Sequence, residues 1–249
     1  MVLRRFVVSD VHGHPADLRA ALRGRGLIDR DDRWCVDDTE LWVLGDLLDR
    51  GPDGLGVIDL LRSLQTQAPD HVHVLLGNHE ALAIGAARWP AGRFGRSWAV
   101  NGGRPGDRAG LDEERLAWLA GLPAMGRAGD FLLVHSDTTA YADWGTSAPE
   151  VNDRIRAALT SGEEERVWAV WSSLCGRLDF SRTGGAQRAR SFLRTFGGSC
   201  VVHGHTLVGA LRHERSSAVT GPLLYADDRV LAIDGGRYDD GPLLLVALD

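Results

Sequence analysis

Three shortages bound this chain: few cysteines, no long apolar run and no excess of positive charge. Cys35, Cys175 and Cys200 are odd in number and widely scattered. They form no CxxC pair and no disulfide spacing, which points to a reducing compartment. Each reads as a small buried apolar residue rather than a ligand or nucleophile. No apolar stretch approaches the roughly 18 residues that a bilayer-crossing helix needs. Met1-Val2-Leu3-Arg4-Arg5 precedes only a short stretch before Asp10, too little for a signal-peptide core. A cytoplasmic protein without a membrane partner is the expectation. The net charge of −6 and a pI near 5.8 argue against general nucleic-acid or anionic-membrane binding, since both favour a basic face. Local arginine clusters can still hold a phosphate.

What remains is globular: 249 residues, 44% hydrophobic and 25% charged, enough for one large domain or two small ones. There is no internal repeat and no low-complexity segment. A first strand around Phe6 leads to a helix over Leu18 to Arg25, with Pro15 suited to its first turn. A polar connection returns to a second strand at Leu41 to Leu44. Leu55, Ile58, Leu61 and Leu64 lie at helical spacing before a third strand at Val72 to Leu76, and Glu80 to Arg88 reads as another helix. This βαβαβ opening implies a mostly parallel sheet. Residues 89–110 read as a loop or cap whose Trp89 and Trp98 need burial. A helix over Leu111 to Leu122 and a fourth strand, Phe131 to Val134, follow. The stretch 150–196 is mostly helical. Strands at Cys200 to Val202, Leu223 to Tyr225, Val230 to Ile233 and Leu243 to Leu248 close the chain.

Five of the apolar runs stop abruptly at a metal-ligand or acid–base residue. Phe6-Val7-Val8 runs into Asp10 and His12, and Leu41 to Leu44 runs into Asp46. Val72 to Leu76 runs into Asn78 and His79. Phe131 to Val134 ends at His135, and Cys200-Val201-Val202 reaches His203 and His205. Buried strands that deliver polar side chains at their carboxyl ends describe the active-site rim of an α/β sheet. Asp10, His12, Asp46, Asn78, His135 and one of His203 or His205 make a mixed oxygen and nitrogen donor set. That mixture suits Mn, Fe, Zn, Co or Ni better than Mg or Ca. The donors are too many for one ion and fit a pair about 3.5–4 Å apart. Asp46 is the natural bridge, because its strand lies between the other two ligand-bearing strands. Such a pair acidifies a water strongly, and phosphate-ester hydrolysis most needs that help.

The strings SDVHGH (9–14), GDLLDRG (45–51), GNHE (77–80), VHSD (134–137) and HGHT (203–206) resemble the calcineurin-like metallophosphoesterases. Within them, GDLLDRG with GNHE is similar to the phosphoprotein-phosphatase branch. That branch includes bacterial and bacteriophage-type serine/threonine phosphatases and symmetrical diadenosine tetraphosphate hydrolases. WAVNGG (98–103) and AIDGGRYDDGPLLLVAL (232–248) also look like that branch. The resemblance implies an α/β fold over a single domain, 1–249, of two packed mixed β-sheets flanked by helices. It implies two divalent metal ions, Mn foremost, and a phosphorylated substrate: protein, nucleotide or small molecule. Asp10 and His12 would bind the first metal, Asp46 would bridge, and Asn78, His135 and His205 would bind the second.

By the same resemblance Arg50 would grip the phosphoryl oxygens beside Asn78, a task suited to its planar fork. His79 would protonate the leaving alcohol, oriented by Asp49, after attack by a metal-bridging hydroxide. His-Gly-His-Thr favours His205 as ligand, with His203 behind it; a His-x-His reading makes both of them ligands. Ser136-Asp137 stands where eukaryotic relatives have Gly-Gly. The family adds a second phosphate-binding arginine after a Trp, but Ser172-Ser173 follows Trp171 here, which leaves Arg177 or Arg182. Among the bland readings, His14 caps or packs beside Pro15, His71 and His73 face solvent or a helix, and His213 lies in a solvated loop. Trp98, Trp168 and Trp171 read as core residues. A dinucleoside polyphosphate hydrolase and a catalytically silent binding protein are the competing functions.

Overall fold

The computed structural model describes residues 3–248. Strands β1 (Arg4–Val8), β2 (Thr39–Val43) and β3 (Val72–Val74) run parallel, and β9 (Val246–Ala247) pairs antiparallel to β1, giving the order β3-β2-β1-β9. A second sheet takes β4 (Met125–Ala128), β5 (Phe131–Val134), β6 (Cys200–His203), β8 (Val230–Ala232) and β7 (Leu223–Tyr225) in the order β4-β5-β6-β8-β7. Both sheets are mixed, and their inner faces pack on each other. Val7, Trp42 and Leu44 of the first meet Ala128, Leu133 and Val202 of the second in one buried cluster. The contact is close at Gly126, where an added Cβ would come within 2.3 Å of the Trp42 ring.

The outer faces are covered by helices, as alternation along each strand requires. In β1, Val7 points to the facing sheet while Phe6 and Val8 join the main core. Helices α1 (Pro15–Gly24), α2 (Gly54–Gln67) and α3 (Asn78–Arg88) complete the βαβαβ opening, with Pro15 in the first turn of α1. Val57, Ile58, Leu61 and Leu64 are fully buried on the inner face of α2, whereas Leu55 is only partly buried at its start. Ala81 to Ala86 bury nearly every side chain of α3, which lies under the site. Helices α7 (Ala148–Thr160), α8 (Glu164–Leu174) and α9 (Gly185–Phe196) form the helical stretch expected over 150–196.

Several local expectations change. Residues 89–110 are not a loop: they form α4 (Arg93–Val100) and α5 (Pro105–Gly110), ahead of α6 (Glu113–Gly121). Phe94 and Trp98, four residues apart, give α4 its buried stripe despite the surrounding Gly and Arg. Strand β4 is an addition, since Met-Gly-Arg-Ala carries no strand pattern. It forms by antiparallel pairing with β5, Met125 opposite Val134. The last strand shrinks from Leu243–Leu248 to Val246–Ala247. A short helix α10 (Val208–Arg212) follows the HGHT string. Of the three cysteines only Cys200 is buried; Cys35 is exposed.

Leu133 is fully buried between the sheets. Leu133→Ala should therefore cost about 2–5 kcal/mol, read as a lower urea midpoint at unchanged slope.

Candidate metal centre

The five loops that carry the candidate donors leave the carboxyl ends of β1, β2, β3, β5 and β6 and meet at one rim. Their backbones continue the parallel pairing beyond the strands. The N–H groups of Asp10 and His12 donate to the Gly45 and Asp46 carbonyls at 3.1 and 2.9 Å, and Gly204 N–H donates to the His135 carbonyl at 2.9 Å. Asp10, His12, Asp46, Asp49, Arg50 and His205 all have left-handed backbone, with φ between 42° and 67°. Such conformations are uncommon outside glycine and concentrate at functional sites. Two glycines allow the loops to close. A Cβ on Gly77 would come within 2.4 Å of Asp46, and one on Gly204 within 2.1 Å of Asp10 Oδ2.

Asp46 is buried at the centre. Its Oδ2 lies 3.5 Å from His12 Nε2 and its Oδ1 lies 3.4 Å from His135 Nε2. Each imidazole is set by its far nitrogen: Nδ1 of His12 donates to the Leu48 carbonyl at 3.0 Å, and Nδ1 of His135 to the Leu44 carbonyl at 2.8 Å. Both Nε2 atoms therefore present lone pairs inward. Asp10 Oδ1 is 3.9 Å from His12 Nε2, and Asn78 Oδ1 is 2.9 Å from His135 Nε2. Donor atoms of Asp46, His135 and His205 fall within 4.8 Å of one another, as do those of His12, Asp46 and His79.

The electrostatics of this cluster fit a cation. Burial, then the Asp10 charge, pushes the Asp46 carboxyl well above its ordinary range. Burial first, and then neighbouring positive groups, holds His12, His79 and His205 well below the usual imidazole range, so each is neutral at pH 7. His12 Nε2 is buried without a hydrogen-bond partner. A divalent ion relieves both penalties, by charge at Asp46 and by accepting the free lone pair.

Beside the donors stands a buried histidine–aspartate pair. His79 Nδ1 donates to Asp49 Oδ2 at 2.7 Å, and both groups are fully buried. Arg50 Nη2 donates to His79 Nε2 at 3.2 Å, and its guanidinium lies 3.8 Å over the Tyr238 ring. Arg177 Nη2 donates to His205 Nε2 at 2.9 Å, the lone pair a cation would take. Arg182 stays exposed on the turn before α9, so the structure brings only Arg177 of that pair to the rim. His203 points away, with Nδ1 on the Gly204 carbonyl and Nε2 on the Tyr225 hydroxyl, each at 2.8 Å. His14 packs over its own turn, Nδ1 to the Val11 carbonyl at 3.1 Å. His73 stacks on Trp42 at 4.2 Å rather than facing solvent.

Several supporting residues carry no assigned role in the sequence, although each lies in a string already singled out. The Glu80 carboxylate accepts from the N–H groups of Gly77, Asp46 and Leu47 at 2.8, 2.8 and 2.9 Å, tying the α3 N-terminus to the Asp46 loop. Asp46 Oδ1 also accepts the His79 N–H at 3.0 Å, at the positive end of α3. Asp137 accepts from Leu178 N–H at 2.8 Å and from the Thr206 hydroxyl at 2.5 Å, linking the Arg177 segment to the HGHT loop. Asp49 Oδ1 accepts from Trp98 Nε1 at 2.9 Å. Asp234 is buried near Asp10, and one of its oxygens lacks a partner.

A fold of two facing mixed sheets with clustered Asp, His and Asn donors at one rim defines a metallophosphoesterase. The chain belongs to the calcineurin-like phosphoesterase family, whose sequence profile matches residues 3–209. It is 28% identical to a symmetrical bis(5'-nucleosyl)-tetraphosphatase of Pectobacterium carotovorum over 71% of this chain and 62% of that protein. Among solved structures it is similar to a cold-active protein tyrosine phosphatase, with TM-score 0.76 and 22% identity over 100% of this chain and 74% of that one. It is also similar to a putative diadenosine tetraphosphatase, with TM-score 0.57 and 18% identity over 100% of this chain and 94% of that one. Those structural likenesses show a shared fold. The chain spans 25% of the length of a symmetrical bis(5'-nucleosyl)-tetraphosphatase of Buchnera aphidicola, to which it is 37% identical over 79 residues.

Burial, then the Asp46 charge, pushes Glu80 up to about 7 from an ordinary 4.5. The folded metal-free protein thus holds a proton that the unfolded chain releases, and this contribution is lost as pH rises from about 4.5 to about 7. Measured by urea unfolding without metal, the stability of the parent relative to Glu80→Gln should fall across that window, by up to roughly 3 kcal/mol.

Proposed function

We propose that the protein is a phosphoesterase working with two divalent cations, and that it hydrolyses phosphate monoesters of phosphoserine or phosphothreonine proteins or of a small molecule. The observation that carries this reading is the placement of Asp46, whose two oxygens face histidines 3.5 and 3.4 Å away on opposite sides. Asp10 and His12 would hold one cation, Asn78, His135 and His205 the other, and Asp46 both. The mixed donor set favours Mn, with Fe, Zn, Co or Ni as substitutes. Bound there, the cations supply positive charge and lower the pKa of a water toward neutrality.

The protein's own groups do the rest. Arg50 and Arg177, both at the rim beside the imidazoles, would turn to the phosphoryl oxygens, and Asn78 would assist. Arg50 is one of the causes that keep His79 low, after burial. Its departure toward substrate would leave Nε2 free of the guanidinium, with Asp49 on Nδ1 to balance a proton taken up there. A water that has given one proton to solvent then bonds through its oxygen to phosphorus as the ester P–O bond breaks, and the His79 proton passes to the departing oxygen. Asp49 holds the imidazole through Nδ1 throughout. No protein atom bonds to phosphorus.

The unpaired cysteines support a cytoplasmic setting. No helix among the described residues is long and apolar enough to cross a membrane. The acidic net charge argues against general nucleic-acid binding. A second reading, hydrolysis of dinucleoside polyphosphates, draws on the 28% identity to the Pectobacterium tetraphosphatase. Phosphate release from phosphopeptides, nucleotides, sugar phosphates and diadenosine tetraphosphate, assayed side by side with Mn, Co, Ni, Zn and Mg, separates the two.

Asp46→Asn should lower bound metal and cut phosphate release more than about 100-fold; normal turnover by the variant contradicts the assigned centre. His79→Asn should keep its metal, measured by elemental analysis, yet slow alkyl esters by roughly 10²–10⁴-fold and p-nitrophenyl phosphate far less. Equal losses on both esters would remove His79 from the acid role.

A further inference from the structure

The Asp49 carboxylate is fully buried, and its two oxygens have different partners. Oδ2 receives His79 Nδ1–H at 2.7 Å, and Oδ1 receives the indole N–H of Trp98 at 2.9 Å. Trp98 comes from α4, in the segment that interrupts the strand–helix rhythm, and is itself 4% exposed. Its ring is seated against the Gly103 backbone, where an added Cβ would come within 2.1 Å of the indole. One residue earlier, the Gly102 carbonyl accepts the Arg50 N–H at 2.8 Å. Asp49 and Arg50 are consecutive left-handed residues, at φ 67° and 64°. Two such residues in a row persist only where surrounding structure over-determines them. The 98–103 segment supplies that constraint, with one bond to the Asp49 side chain and one to the Arg50 backbone.

We infer that Trp98 is a positioning residue for the acid–base pair, acting through Asp49 on His79. The inference rests on the phosphoesterase reading above. Oriented by the indole, the carboxylate can meet His79 only through Oδ2. The imidazole then keeps its proton-bearing Nδ1 on Asp49 and presents Nε2 to the rim. Without the indole donor, Oδ1 loses the side-chain bond that fixes its direction, and the carboxylate rotates to share His79 or draws in water. His79 then loses its fixed orientation while the candidate metal donors, held by their own bonds to Leu48, Leu44 and α3, stay in place. The deficit falls on proton delivery to the departing oxygen.

The test replaces Trp98 with 3-benzothienylalanine, which keeps the bicyclic ring and exchanges N–H for sulfur. Trp98→Phe, also lacking the donor, serves as a second variant if the isostere does not fold. Metal content should match the parent. Turnover of an alkyl phosphate should fall about tenfold and that of p-nitrophenyl phosphate less than about twofold, as partial loss of acid catalysis requires. In metal-free protein, the low-field Nδ1–H proton resonance of His79 should broaden or shift upfield. Equal losses on both esters, or unchanged alkyl turnover with an unchanged resonance, would overturn the role of Trp98. A parent that cleaves neither ester refutes the phosphoesterase reading instead, and the catalytic part of this inference with it.

Discussion

A single buried carboxylate, Asp46, sets the geometry on which the rest depends. One oxygen faces a histidine carried by the first sheet and the other a histidine carried by the second. The same side chain receives the backbone of α3, and Glu80 fastens the loop on which it sits. Taking such a group out of water is costly, and proximity to Asp10 raises the cost. The protein meets that cost with donors fixed in advance: imidazoles locked by backbone carbonyls, and a carboxylate held by helix and loop.

The two sheets matter because the donors are divided between them. His135 Nδ1 reaches back to the Leu44 carbonyl, and the His205 N–H reaches Asp10 Oδ2. Both bonds cross from one sheet to the other at the rim. Below them, Trp42 packs on Gly126 and Leu133 fills the space between. Hydrophobic packing at the middle and polar bonds at the edge hold one relative placement of the sheets. Slipping any strand by one residue along its neighbour would turn all of its side chains to the other face. The spacing between donors is therefore a property of the core as much as of the loops.

The strand ends are legible because a buried parallel strand leaves few places for a polar residue. Asp10, Asp46, Asn78 and His135 therefore mark one rim from the letters alone, and strand order suffices to put Asp46 at its centre. Two histidines one glycine apart are not told apart by local pattern; in the fold His205 gathers with Asp46 and His135, while His203 has both ring nitrogens on Gly204 and Tyr225. Strand β4 and helices α4 and α5 are hidden by glycine and arginine, because tertiary pairing overrides weak local preference. Trp98, Glu80 and Asp137 are visible as letters in conspicuous strings. Most of their work is hydrogen bonding to groups 33 to 69 positions away, which no local pattern encodes.

The left-handed turns at the rim carry a consequence for how this enzyme scaffold can diversify. At Asp10, His12, Asp46 and His205 the backbone shape and the donor atom are delivered together. Branched side chains are barred there by sterics, and inserting or deleting one residue would swing the donor away from its companions. Novelty in what the protein recognises must consequently accumulate in the appended helices that border the opening, while the metal-facing hinges stay locked in length and chirality.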